Sequence, residues 1–183
     1  MSSGKADTSD FARRRFVEMV LPHLDDAYRL ARWLTGNGVD ADDVVQDACL
    51  KALASQDAVV VGHPRAWVMT IVRNTAYTWL AKNRPKLVEA TGDIERLEAA
   101  AALNDGPRPL NPEESLIAAA DEAMLEAAIL SLPPAYREVV VMRDVNGMSY
   151  REIAETIDAP QGTVMSRLAR GRALLIERIG TRA

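Results

Sequence analysis

Residues 149–175, SYREIAETIDAPQGTVMSRLARGRALL, constrain the fold more tightly than any other stretch of this chain. They read as two helices joined by a tight turn. Ser149, with Glu152 three residues on, has the spacing of a capping box, in which each side chain satisfies the other residue's backbone N–H. The first helix then presents Ile153, Ala154 and Ile157 on one face. Asp158-Ala159-Pro160 ends it, because Asp tolerates a left-handed backbone and Pro suits the first turn of a new helix. The second helix aligns Val164, Leu168 and Leu175 on one side. Ala154, Asp158 and Val164 supply the small residue, the turn residue and the β-branched contact that a helix-turn-helix crossing requires. Only a methyl group at Ala154 lets the second helix pass closely.

At about 100° per residue, the face opposite Val164 carries Thr163, Ser166, Arg167 and Arg170. Hydroxyls and guanidiniums are the groups suited to phosphates and to guanine edges in a major groove. The plainer alternative is a helical hairpin whose arginines only keep its surface wet. Charge favours the nucleic-acid reading. Residues 112–158 hold ten acids and three arginines, net −7, whereas residues 159–183 hold five arginines and one acid, net +4. A change of sign at the start of the second helix is the electrostatic footprint expected on DNA.

The net charge of the whole chain is −4, so any DNA contact must be local. With 48% hydrophobic residues the 183-residue chain can bury real cores, in one domain or two small ones. Cys49 stands alone and the two histidines are isolated, so neither an internal disulfide nor a metal site is expected. No apolar run has the length of a membrane span, and MSSGKADTSD lacks the apolar core of a signal peptide. Together these point to a reducing cytoplasm and no membrane insertion.

Upstream, the chain reads as consecutive helices. Phe16 to Leu34 carries a core stripe of Leu24, Ala27, Tyr28, Ala31 and Leu34, and Gly36-Asn37-Gly38 ends it. Asp40 is the expected N-cap of a helix to Leu53 that buries Ala41, Val44, Val45, Ala48 and Ala52. Its other side holds Asp43, Gln46, Asp47 and Leu50. An apolar knob ringed by carboxylates and an amide fits a basic, partly apolar partner helix, although stray surface leucines are common. After a loop from Gln56 to His63, Pro64 opens a helix to about Asn83, with Trp67 and Trp79 in its core. On its far side Arg73, Tyr77 and Arg84 fall within about 40°, with Asn74 beside them. Cations interleaved with an aromatic suit single-stranded DNA, whose bases stack while its backbone is tracked by charge; a cationic surface over a buried Tyr is the alternative. From Pro85 to Asn111 the periodicity dissolves into a linker ending in GPRPLNP. Asn111 and Pro112 then start a helix to about Ser131, Leu132-Pro133-Pro134 breaks it, and Ala135 to Asp144 forms the next. Arg143 precedes the Asn146-Gly147 turn, within reach of a phosphate across the groove.

The expected architecture is all-α: two small helical domains joined by a flexible linker, residues 1–84, 85–111 and 112–183, the last a helix-turn-helix domain. DADDVVQDACLKAL, PRAWVMTIVRNTAYTWLAKNR and LPPAYREVVVMRDVNGMSYREIAETIDAPQGTVMSRLARGR, in that order, resemble the conserved regions of the bacterial extracytoplasmic-function sigma factors of the sigma-70 family. The resemblance spans about residues 16–84 and 112–179. It implies a sigma factor that directs RNA polymerase core to promoters, with no catalysis and no cofactor of its own. By resemblance, Asp43, Gln46, Asp47 and Leu50 dock on the β′ clamp helices. Asn74, with Met69, Arg73 and Tyr77, holds the melted promoter element, and the Gln56–His63 loop captures a flipped base. Ser166, Arg167, Arg170 and Arg172 read the upstream element, supported by Arg143. The apolar side of residues 125–142 seats the β flap, the linker runs toward the RNA exit channel, and an anti-sigma partner is implied.

Two departures stand out. Met165 lies where the family often carries Lys or Arg, and Asp158 replaces the usual turn glycine. Two other readings compete with the sigma factor. A stand-alone helix-turn-helix regulator of the response-regulator type would need a β/α pattern upstream, which residues 1–111 lack. A protein-binding sigma mimic would need neither Arg73, Tyr77 and Arg84 nor the C-terminal arginines.

Overall fold

The computed structural model describes residues 14, 16–55, 63–101 and 122–180, and every regular element among them is helical. Phe16 to Leu34 is not one helix. Pro22 cannot donate a backbone hydrogen bond, and a 3₁₀ turn, Leu21–His23, precedes α1 (Leu24–Thr35). Gly36 ends α1 in the left-handed conformation at φ 86°, its N–H donating to the Arg32 carbonyl. The next helix begins earlier than Asp40. Asn37 is the cap, its Oδ1 accepting from the Asp40 N–H at 2.9 Å, so α2 runs Gly38–Ala54 with Asp40 inside its first turn.

Helix α3 (Pro64–Asn83) lies against α1 and α2. Ala27, Leu30, Ala31 and Leu34 of α1, Ala41, Val44, Ala48 and Ala52 of α2, and Val68, Met69, Val72 and Ala76 of α3 make one apolar core, with Trp67 and Trp79 packed at its edge. Met69 is fully buried and cannot stand with Asn74 on an open DNA face.

The segment expected to be patternless begins instead as α4 (Pro85–Ala101). Pro85 stands where a missing N–H costs nothing, Gly92 is the weakest helix former in the interior of the run, and Thr91 is buried. Residues 102–121, with the expected Asn111 cap, lie outside the described residues, as do Gln56–Gly62 of the proposed base-capturing loop.

The second half comprises α5 (Glu122–Ser131), α6 (Pro134–Val140), a π-helical turn Val141–Val145, α7 (Tyr150–Ile157) and α8 (Gln161–Gly180). The helix expected from Ala135 to Asp144 therefore changes register halfway, the Asn146 N–H reaching back to the Val141 carbonyl at 2.9 Å. The capping box at Ser149 and Glu152 is formed from both sides, and Asp158 takes the left-handed conformation at φ 51°. Val164, Leu168 and Leu175 are buried as their spacing requires.

A tight crossing in this half falls at a residue that periodicity does not mark. At Gly171, where α8 passes α6, an added Cβ would sit 2.8 Å from Val140 Cγ2.

The two halves share one continuous core and exchange polar contacts. Arg137, buried on α6, donates to the carbonyls of Trp33 (3.1 Å) and Leu34 (3.4 Å) at the end of α1, and to those of Leu130 and Leu132 at the end of α5. Helix C-termini carry partial negative charge, so two of them stand in for a carboxylate. Burial pulls the Arg137 pKa down to about 10, still charged at neutral pH. Thr156 Oγ1 also donates to the Ala66 carbonyl (3.4 Å), Arg65 to the Asn146 carbonyl, and Arg32 pairs with Glu126 (2.7 Å).

Candidate nucleic-acid interface

Three surfaces carry the residues singled out above. On α2 the acidic face is open: Asp43, Gln46, Asp47 and Leu50 are all exposed, Leu50 by 60%. Burial of Ala41, Val44, Ala48 and Ala52 on the opposite side turns this face to solvent. The stripe is longer than the four residues predicted. Val39 (75% exposed) and Leu53 (40%) continue it at helical spacing on either side, so the apolar component is three side chains. The same periodicity that marked Leu50 could have found both.

On α3 the expected face divides. Asn74 and Arg84 are exposed, the Arg84 guanidinium lying 5.8 Å from the centre of the Trp79 ring. Arg73 and Tyr77 are not open. Arg73 Nε and Nη2 donate to Glu138 Oε2 (2.6 Å) and Oε1 (3.1 Å), a two-pronged pair with a carboxylate of α6. Its guanidinium also lies 4.6 Å from the centre of the Tyr77 ring. The Tyr77 hydroxyl is sealed from solvent; burial, reinforced by the Glu138 charge, pushes its pKa well above the usual phenol value. These two side chains face a protein carboxylate in this arrangement, which corrects their expected exposure.

The third surface belongs to α8 and the turn before α7. Arg170 is exposed and Thr163 half-buried, while Ser166 Oγ donates back to the Thr163 carbonyl (3.0 Å). Arg167 is the second correction. Only 5% exposed, it points inward with Nη1 3.7 Å from Glu138 Oε1. Arg172 clamps Asp144 at 3.1 and 2.5 Å. Arg143 donates to the Met148 carbonyl at 2.8 Å and lies over the Tyr150 ring. Met165, where a cation was missed, is half exposed.

Arg73, Tyr77 and Arg167, drawn from both halves, thus converge on one acid. Glu138 has no exposed surface and sits beside the buried Val139 and Val140. No motif in the sequence marks it. Its signal was faint but present: a lone carboxylate at the head of an unbroken apolar run, EVVVM, where ordinary burial of its neighbours would take it out of water. The apolar side chains of residues 125–142, including Ile129, Val139 and Met142, are likewise occupied in the core here. Among the described residues, no helix is long and apolar enough to cross a membrane, and no group of His, Cys, Asp or Glu is arranged to hold a metal.

Comparison with known proteins divides the chain at the same place. The family described as Sigma-70 region 2 matches residues 19–86, and Sigma-70, region 4 matches residues 122–175. The ECF RNA polymerase sigma factor SigE of Mycolicibacterium smegmatis is 35% identical over 159 residues, covering 86% of this chain and 59% of that protein. The chain therefore spans less than two thirds of this relative's length. The ECF RNA polymerase sigma-E factor of Escherichia coli is 31% identical over 144 residues, 76% of this chain and 74% of that one. SigW of Bacillus subtilis is 27% identical over 164 residues, with 87% and 86% covered. Among solved structures, the sigma factor RpoE in complex with the anti-sigma factor NepR, from Bartonella quintana, superposes with a TM-score of 0.66 at 25% identity over 93% of this chain and 99% of that one. CnrH in complex with the cytosolic domain of CnrY gives 0.62 at 24% identity, covering 93% and 91%, a likeness of fold.

Proposed function

This chain belongs to the extracytoplasmic-function group of the sigma-70 family, a promoter-specific initiation factor of transcription, and from that premise we propose how its surfaces divide the work. Residues 1–84 act as the core-docking and strand-holding unit and residues 112–183 as the reader of duplex DNA. The stripe Asp43, Gln46, Asp47 and Leu50 docks on the clamp helices of the β′ subunit. Asn74 and Arg84, joined by Arg73 and Tyr77 once these are released, hold the unpaired promoter strand. Thr163, Ser166, Arg170 and Arg172, with Arg167 and Arg143, face the upstream element; those already paired within the protein must exchange partners to reach it. The β flap is received by the region of α5 and α6. The polymerase performs the chemistry and this chain none, in the cytoplasm, where transcription takes place. An anti-sigma factor is the expected antagonist, as in the RpoE structure, which holds NepR.

The observation that carries this reading is Leu50. A leucine 60% exposed within a face of carboxylates and an amide has no role in the core of this fold, and buried apolar anchors with polar rims are how helices recognise one another. Run-off transcription by purified core polymerase on a promoter library tests the reading. The chain is expected to produce discrete start sites that core alone does not. Transcripts identical with and without the chain would refute it.

A further inference from the structure

The outward face of α8 has two unlike edges. Met165 and Arg170 are both exposed, Met165 by 50%, and five residues of helix set them about 140° apart. Gly162, Ser166 and Ala169 lie on the arc between them, and all three are small. One edge is cationic through Arg170. The other is apolar: Arg172, about two turns beyond Met165 on the same side, is clamped to Asp144 at 3.1 and 2.5 Å. Ser166 turns its hydroxyl back to the Thr163 carbonyl at 3.0 Å. We propose that Met165 is a specificity-determining residue for the upstream element, reading the C5-methyl group of one thymine in the major groove. This role rests on the assignment of α8 to that element in the preceding section.

The chemistry of the groove selects the base. Base-pair edges there present hydrogen-bond donors and acceptors, and the one apolar group among them is the thymine methyl. A thioether donates no hydrogen bond and accepts only weakly. Set against a purine N7 or O6, or an exocyclic amine, it displaces water and leaves that group unpaired. Set against a methyl, it removes apolar surface from water on both sides. Three features separate such a contact from an idle surface methionine. Met165 is the fifth residue of α8, in the turns from which a recognition helix reaches base edges. It contributes nothing to the core, whose side of the helix is formed by Val164, Leu168 and Leu175. The backbone beside it is open, since a Cβ added at Gly162 would meet nothing within 4 Å. DNA can therefore approach closely there, with Met165 as the side chain that projects, and its three rotatable bonds let it settle on a methyl.

The test uses holoenzyme assembled from core polymerase and the full chain, wild type or Met165→Ala, which selects duplexes from a randomised promoter library. Wild type should enrich thymine at one position of the upstream element where Met165→Ala shows no preference. Deoxyuridine put in place of that thymine deletes the methyl and keeps every hydrogen-bonding group of the base pair. It should weaken binding by wild-type holoenzyme about fourfold, the worth of one buried methyl group, and leave binding by the Met165→Ala holoenzyme unchanged. Met165→Lys should lose the same discrimination while binding all duplexes more tightly at low salt, because a lysine there gains a phosphate. Deoxyuridine tolerated at every thymine, or as costly to Met165→Ala as to wild type, would overturn the role of Met165. The two readings fail differently. Wild-type holoenzyme that selects no upstream element would sink the division of labour proposed above and this role with it. An element that is selected, and weakened by Arg170→Ala, yet indifferent to loss of each thymine methyl would reject Met165 alone.

Discussion

On α2 the face turned from the core is open from Val39 to Leu53, whereas the comparable faces of α3 and α8 are half closed, with Arg73 and Arg167 drawn onto Glu138. Both kinds of face arise from the same helical periodicity, so amphipathic pattern alone does not separate them. The difference lies in charge. The α2 stripe is acidic, and among the described residues Asp43 and Asp47 form no ion pair, while Arg73 and Arg167 lie on the two sides of a boundary that holds a buried acid. The α2 face is left open to a partner, and the α3 and α8 faces are partly occupied by the protein itself.

The contrast breaks most sharply at Leu50. Leu50→Asp should weaken core-polymerase binding about a thousandfold, or about 4 kcal/mol, because it places a charge at the apolar centre of a recognition face. The thermal unfolding midpoint should stay at the wild-type value, since the side chain is exposed. Titration calorimetry against core enzyme reads the first effect; undiminished affinity would remove α2 from the docking assignment.

Arg167 and Arg170 sharpen the same comparison within one helix. Arg167→Ala removes one of two cations from a buried carboxylate and should cost about 3 kcal/mol of stability in urea unfolding, the low end for a broken buried pair because Arg73 remains. Arg170→Ala should leave stability within about 0.5 kcal/mol but cost about 1–3 kcal/mol on the upstream element if it makes a bidentate base contact. Equal loss on every DNA sequence would make Arg170 a phosphate clamp.

These two arginines also mark how far sequence could lead. The helix-turn-helix was legible down to Asp158, whose left-handed φ of 51° follows from the local turn and the proline beyond. So was the α2 stripe, because every residue that shapes it lies on the same helix. Arg73 was not, since the acid that claims it lies 65 residues away and no local pattern brings them together. The cap at Asn37 was missed for a narrower reason. Asn37 and Asp40 are both good caps, and the left-handed Gly36 decides between them by turning the chain one residue before Asn37. The helix α4 was hidden because its support is partly tertiary: Thr91 is buried against the rest of the fold.

Gly171 gives a smaller effect at the α6–α8 crossing. Alanine there gains about 1 kcal/mol of helix propensity. Its methyl, however, would meet Val140 Cγ2 at 2.8 Å and Tyr136 at 3.5 Å, and Val140 is a stiff, buried β-branched residue. Overpacking of this kind costs about 1–3 kcal/mol. The clash should win by about 1 kcal/mol for Gly171→Ala and by more for Gly171→Val in urea unfolding. A stabilised alanine variant would mean that α6 and α8 separate without strain.

The smallest effect comes from Glu152, which belongs to the capping box and also lies 3.8 Å from Arg65 across the boundary. Burial opposes its charged form. The Ser149 N–H (2.8 Å) and hydroxyl (2.7 Å), together with the Arg65 charge, outweigh that and hold its pKa below the usual carboxylate value. A carboxyl whose folded pKa is depressed contributes stability that is complete above its unfolded pKa, about 4.3. That contribution is lost as pH falls through the lower folded value. Glu152→Gln should therefore be less stable than wild type by about 0.3–1 kcal/mol at pH 7. The gap should begin to narrow below the unfolded value of about 4.3 and close once pH has fallen through the lower folded value, where wild-type Glu152 loses the same charge. Urea midpoints of the two proteins at pH 7 and pH 3 check this. A gap as large at pH 3 as at pH 7 would assign the stabilisation to the shape of the cap and not to its charge, and would leave Arg65 without an electrostatic hold on the helix-turn-helix.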